Sequence, residues 1–239
     1  MKRNSTAKIE RWWSRVLDFI APRQCVVCGS RLAIGEHSIC TVCNLHLPRT
    51  AFQFSPTDNP MAQLFWHHTP VERAAALFYY QSHSETARIL YDLKYHDCPY
   101  VGEDLGRLMA GEMLQAGFFD GIDVLLPVPL SRWRRNQRGY NQSEWLARGI
   151  ADVTGLPICT KALRRSRFVQ SQTHLTREQR YENVAQTFEL ADAAPLRNRH
   201  VLLVDDVCTT GATLSSCADV LRGIEGVRIS VLTLGFTLH

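Results

Sequence analysis

The chain has 239 residues, 45% hydrophobic and 21% charged, with a formal net charge of +4. This is enough apolar material for a real core and excludes a disordered or low-complexity protein. No apolar run approaches the roughly eighteen residues that a membrane-spanning helix needs. Residues 1–20 start basic but carry Glu10, Arg11, Arg15 and Asp18 among their apolar positions, which a secretory signal would not tolerate. The segment reads as a short amphipathic helix with Trp12, Trp13, Val16, Leu17 and Ile20 near one face. The cytoplasm is the expected compartment.

Residues 21–47 hold four of the eight cysteines, as Cys25-x2-Cys28-x11-Cys40-x2-Cys43. Paired knuckles of this spacing present four thiolates in tetrahedral geometry, and Gly29 allows the tight turn after the first pair. Structural zinc is favoured over disulfides; a redox-active pair or an iron–sulfur cluster fits the spacing less well. His37 and His46 lie nearby, but four cysteines already fill such a site. The remaining Cys98, Cys159, Cys208 and Cys217 read as small apolar core residues, with Cys208 worth a check of reactivity.

Pro48 to Pro70, rich in Pro, Thr, Asn and aromatics, reads as a linker. Val71–Tyr80 reads as a strand and Ser84–Tyr95 as a helix with Ser84 as N-cap. A second amphipathic helix spans Leu105–Ala116 and ends at Gly117. Asp123–Pro129 is a buried strand broken by prolines at its carboxyl end. Gln142–Val153 is helical, and Gly155 stops it. Leu163–His174 is polar, basic and irregular, which predicts a mobile loop, and Thr176–Val184 reads as a short helix. Strands at 201–204 and Arg228–Phe236 complete the pattern. Strands alternating with helices define an α/β fold built on a parallel sheet flanked by helices. The expected organisation is an N-terminal helix and zinc module over 1–47, a linker over 48–70 and the α/β domain over 71–239.

Charge is distributed unevenly. Ser131 to Arg180 holds eleven Lys and Arg against three acids, a balance of +8, which leaves −4 for the rest. Such a block is an anion-binding footprint that suits pyrophosphate, nucleotide or nucleic acid, or else a solvated basic face.

The most informative stretch is Val201-Leu-Leu-Val-Asp205-Asp206-Val-Cys-Thr209-Thr210-Gly211-Ala212-Thr213-Leu214. A buried strand ends in two carboxylates, and a small-residue loop then opens a helix. Open α/β sheets bind ligands at the carboxyl ends of their strands. Backbone N–H groups of the loop and helix start point at an anion, while Asp205 and Asp206 can accept from a sugar diol. The combination asks for a sugar phosphate. It is not a Walker A loop, because no Gly-Lys-Ser/Thr follows the glycine.

This stretch resembles the PRPP-binding signature of type I phosphoribosyltransferases. The four-Cys module, Pro127-Val-Pro129, Arg138-Gly-Tyr-Asn-Gln142 and Gln172-x2-Leu175-x4-Arg180-x2-Asn183 come before it in order. The whole set is similar to the ComF family, linked to bacterial DNA uptake and use, and most of all to its GntX-like DNA-utilisation branch. The resemblance implies a type I phosphoribosyltransferase-like parallel sheet with a small N-terminal zinc module. It implies that Asp205 and Asp206 hold the ribose hydroxyls, directly or through Mg²⁺, and that Thr209, Thr210, Gly211, Ala212 and Thr213 cradle the 5′-phosphate. Arg132 or Arg138 stands at the pyrophosphate position, Lys94 is a further cation for it, and Arg180 belongs to a loop that could close over the site. For Arg132, Arg134 and Arg135 a generic basic surface is an equal reading, and Asn141, Gln142 and Asn183 read equally as residues that satisfy backbone in turns.

Nothing selects a catalytic base, although Asp92 and Glu182 are acidic, and the acceptor is not readable. Three roles therefore stay open: PRPP-dependent chemistry in the metabolism of imported DNA, a non-catalytic module binding single-stranded DNA, and docking of a partner such as a DNA translocase. Trp133 and Tyr140 are either base-stacking residues or ordinary packing. A homodimer is the family-style expectation.

Overall fold

The computed structural model describes residues 23–66, 69–82, 84–95, 98–165 and 188–238, without the side chains of Tyr95 and Arg132. The expected N-terminal helix, the loop and helix after residue 165, Arg180, Glu182 and Asn183 lie outside the described residues. The chain divides into two compact units, Met1–Leu47 and Pro48–His239.

In the first unit, a turn closed by Gly29 N–H donating to the Cys25 carbonyl at 2.8 Å precedes a six-residue helix, α1 (Thr41–His46). The Glu36 side chain fastens these pieces together. It accepts from Ala33 N–H at 2.7 Å, Thr41 N–H at 2.6 Å and the Thr41 hydroxyl at 2.7 Å. Those donors hold its carboxyl below the ordinary range.

The second unit is built on four parallel strands in the order β1–β6–β5–β2: β1 (Ala74–Tyr79), β2 (Val124–Pro127), β5 (His200–Cys208) and β6 (Arg228–Phe236). Successive residues along them are buried rather than alternating with exposed ones, because both faces of such a sheet are covered. Val201, Leu202, Leu203, Val204, Val231 and Leu232 are fully buried. Along the chain, α3 (Glu85–Tyr95) and α4 (Pro99–Gln115) follow β1, and α5 (Arg132–Arg138) and α6 (Gln142–Thr154) follow β2. α7 (Ala212–Leu221) joins β5 to β6. A separate antiparallel pair, β3 (Leu163–Arg165) and β4 (Phe188–Leu190), packs against α7.

α6 lies on β5 and β2, and α4 crosses α6 at backbone contact. A Cβ on Gly149 would stand 1.9 Å from the Glu103 carbonyl oxygen, and one on Gly106 would stand 2.2 Å from that of Leu146. Only glycine fits there.

Several elements differ from expectation. α4 begins six residues earlier than the Leu105 start predicted, because Pro99 sits in its first turn where a missing N–H costs nothing. α5 was not anticipated. It has no apolar periodicity and is defined by its caps, Ser131 accepting from Arg134 N–H at 3.3 Å and Gly139 at φ 74°. Leu163–Arg165, expected in a loop, forms β3.

The described part of 48–70 is no free linker. It carries a 3-10 turn (Phe52–Phe54) and a short helix, α2 (Pro60–Gln63), packed on β1. Phe52, Met61 and Phe65 are buried. The Thr50 hydroxyl donates to the Ala76 carbonyl, and Asn59 Nδ2 donates to the Ala74 carbonyl at 2.9 Å. Polar composition made the segment read as a linker, yet its few aromatics and Met61 are enough to anchor it.

Candidate functional site

β5 outruns β2. The β2–β5 pairing ends at Pro127 opposite Val204, while β5 continues beside β6 to Cys208. Asp205 and Asp206 thus lie on the strand just past the end of β2. α6 reaches this point from β2: Asn141 caps it by accepting from Ser143 N–H at 3.3 Å and ties back to β2 by donating to the Val128 carbonyl at 3.0 Å. That places the Ser143 hydroxyl to donate to Asp205 Oδ1 at 2.9 Å, and Asp206 N–H donates to the same oxygen at 2.9 Å. Burial, followed by the neighbouring Asp206 carboxylate, pushes the Asp205 carboxyl up to about 7; the two hydrogen bonds and Lys94 act the other way.

Lys94, on α3, does not stand free as a pyrophosphate cation. Its Nζ lies 2.9 Å from Asp206 Oδ2, with both side chains largely shielded. Tyr140 fixes this arrangement, because its buried phenol donates to the Leu93 carbonyl at 2.7 Å. Tyr140 is therefore packing, not a stacking platform, whereas Trp133 is 66% exposed.

The loop turns at Gly211, whose φ of 76° lies in the left-handed region and which precedes the first turn of α7. Thr209 and Thr210 are exposed, and Ala212 and Thr213 open the helix. Residues 207–214 line a small cleft. Beneath it, Leu64 and Phe65 approach within 3.4 Å of where a Gly211 Cβ would be, so the 48–66 segment forms the floor of the loop. Cys208 is buried, and burial, with Asp205 nearby, pushes its thiol up to about 12, which disfavours the thiolate. Cys217 is likewise core, but Cys98 and Cys159 are part-exposed, contrary to expectation.

Arg138 Nη1 donates to Gln142 Oε1 at 3.1 Å, at the start of α6. Arg132 opens α5, its side chain undescribed. Asp92 lies on α3. Sequence reasoning missed Ser143, whose role depends on the sheet register. It also missed the loop floor, for which buried-size Phe52, Met61 and Phe65 were the signal.

In the first unit, the ligand atoms of Cys25, Cys28, Cys40 and Cys43 all lie within 4.8 Å of one another. Backbone N–H groups of Cys40 and Cys43 donate to the sulfurs of Cys25 and Cys40 at 3.4 Å. Hydrogen bonds from Ser30 lower the Cys28 thiol to about 6. Four convergent sulfurs supported by N–H groups fit a tetrahedral metal with no open position. His37 and His46 are exposed and outside the cluster.

A parallel sheet with paired carboxylates and a glycine-turned loop past its edge defines a phosphoribosyltransferase-type protein. The phosphoribosyl transferase domain matches residues 109–235, and the chain belongs to that family. DNA utilization protein YhgH of Escherichia coli K12 is 27% identical over 227 residues, 91% of this chain and 98% of the relative. Competence protein F of Haemophilus influenzae is 33% identical over 110 residues, 45% of this chain and 48% of the relative. Competence protein ComFC of Bacillus subtilis is 32% identical over 112 residues, 46% and 43% of the two chains. These relatives bear out the ComF resemblance. Adenine phosphoribosyltransferase of Thermoanaerobacter pseudethanolicus is similar in structure at a TM-score of 0.36 and 15% identity, over 62% of this chain and 84% of that one. No helix among the described residues is long and apolar enough to cross a membrane.

Proposed function

We propose that this chain is a PRPP-binding, phosphoribosyltransferase-like protein that serves the use or uptake of extracellular DNA. The observation that carries the reading is the Asp205–Asp206 pair standing beyond the end of β2, next to the Gly211 turn that opens α7. Ionised Asp205 and Asp206 would accept from the ribose hydroxyls, with Ser143 and Lys94 holding the two carboxylates in place. The N–H groups of 209–213 would receive the 5′-phosphate, favoured by the helix start. The two carboxylates suit a hard divalent cation, and Mg²⁺ carried with PRPP would neutralise the pyrophosphate. In turnover, the C1–O bond to pyrophosphate breaks and its electron pair leaves with pyrophosphate. The acceptor forms the new bond to C1 and gives its proton to the departing group. The DNA role rests on the names of the relatives. The four cysteines would hold structural zinc.

The reading is tested in cells. A deletion strain should lose growth on DNA as sole carbon source, and the Asp205→Asn, Asp206→Asn double variant should fail to restore it. Full rescue by that variant would remove the sugar-phosphate site from the function.

One observation favours a second reading. On α5, exposed Trp133 stands among the basic residues Arg134 and Arg135. A surface of that kind suits single-stranded DNA, whose affinity should then fall steeply with salt; affinity flat from about 50 to 200 mM salt would dismiss it.

A further inference from the structure

A cavity of about 700 Å³ lies beside the proposed sugar-phosphate site, walled by the turn after β2, α5, the start of α6 and the β3–β4 pair. Among the described residues its charged lining is Arg135, Lys161, Arg164 and Arg165 against Glu144 and Glu189. Two of the four cations are neutralised locally, Arg164 by Glu189 at 2.8 Å and Arg135 by Glu144 at 3.5 Å. Lys161 and Arg165 make no ion pair among the described residues. Arg165 is the unusual one: its guanidinium lies 5.1 Å from the Phe188 ring centroid, and its side chain is partly withdrawn from water. Burial, followed by Arg134, pulls its pKa down, yet arginine keeps its charge. A partly shielded cation with no carboxylate in ion-pair contact among the described residues is well placed to receive an anion.

The position of this cavity matters as much as its charge. Asn141 and Glu144, which line it, flank Ser143, the donor to Asp205. Arg165 also feels the charge of Asp205. A ligand here would sit next to a ribose held by the Asp205–Asp206 pair. The remaining walls include Pro129, Leu130 and Leu163, which offer apolar surface to a flat ring. The volume falls in the usual range for small-ligand sites, roughly 300–1,000 Å³.

We propose that this cavity binds a 5′-phosphorylated nucleotide as the second ligand of the site, its phosphate held by Arg165 and Lys161. The assignment of that nucleotide as acceptor rests on the PRPP reading above; its binding does not. The acceptor is then anionic, and a free nucleobase is a poor one.

The test is calorimetric titration of the full chain with the 5′-monophosphates of adenosine, guanosine, cytidine and thymidine, and with the four free bases. At least one monophosphate should bind, and its base alone should bind at least about tenfold more weakly, as expected when a charge-assisted contact is missing. Arg165→Gln should weaken that binding about tenfold or more, and Lys161→Gln, at an exposed position, should weaken it less. Asp205→Asn should not weaken it, since the change removes a negative charge near Arg165, and Arg165→Gln should leave PRPP binding intact. The two readings can therefore fail separately. A 5′-phosphorylated oligonucleotide that binds no tighter than the monophosphate points to free nucleotide as the ligand. One that binds tighter, with the same dependence on Arg165, assigns the cavity to a strand end. Absence of monophosphate binding, equal binding of the free base, or binding indifferent to both Arg165→Gln and Lys161→Gln would overturn the proposal.

Discussion

Lys94 Nζ and Asp206 Oδ2 are 2.9 Å apart, and the pair joins α3 to the far end of β5. The contact holds the carboxylate in place. Lys94→Met should leave Asp206 shielded without its counter-charge. The expected loss is about 2 kcal/mol, between the values for exposed and buried pairs, read from urea unfolding midpoints. Unchanged stability would mean that the pair is incidental.

Asp205 makes the site sensitive to pH. Its carboxyl is raised from 3.8 to about 7, so between those values the folded state holds a proton that the unfolded state has lost. Stability contributed by this group therefore falls as pH rises through that window and levels off above it. Asp205→Asn should abolish the trend, and the gap in melting temperature between variant and wild type should widen from acid to neutral pH. PRPP affinity should run the opposite way, weakening as pH falls below about 7, because a protonated carboxyl accepts poorly from a ribose diol.

The helix crossing that carries Ser143 has no spare room. Gly149→Ala would drive a methyl into the Glu103 carbonyl oxygen, and α4 and α6 would have to separate. A loss of about 2–3 kcal/mol is expected from overpacking, measurable by denaturant unfolding. Ser143→Ala should cost less, about 1 kcal/mol for the lost hydrogen bond to Asp205, and act mainly on ligand affinity.

In the first unit, a purified sample should carry about one zinc per chain, since four thiolates and no open position define a structural site. Chelation should release it and increase protease cleavage within residues 23–47, as metal binding and folding are linked in such small modules. Cys25→Ser should have the same effect on metal content. PRPP binding by residues 48–239 should persist.

Much of this architecture was legible because parallel strands are written as uninterrupted apolar runs. Val201–Val204 is such a run, and Arg228–Phe236, although interrupted by Ser230 and Thr233, is buried from Ile229 onward. The Asp-Asp and Thr-Thr-Gly-Ala-Thr order pointed to the candidate site by local chemistry alone. What could not be read depends on distant packing. The Ser143–Asp205 bond joins residues 62 apart in the chain. The pairing of Lys94 with Asp206 was not legible because nothing local shows that α3 reaches β5. The β3 and β4 strands are three residues each, too short and too polar to show a period. The loop floor was obscured by the prolines and polar residues around Phe52, Met61 and Phe65.

The most direct measurement is calorimetric titration of PRPP with Mg²⁺ into the zinc-loaded protein, with the Asp205→Asn, Asp206→Asn double variant alongside. Binding on the order of micromolar, about 8 kcal/mol, should appear in the wild type and weaken at least about a hundredfold in the variant. No heat with the wild type, or equal affinity in both proteins, would contradict a working sugar-phosphate site at the end of β5.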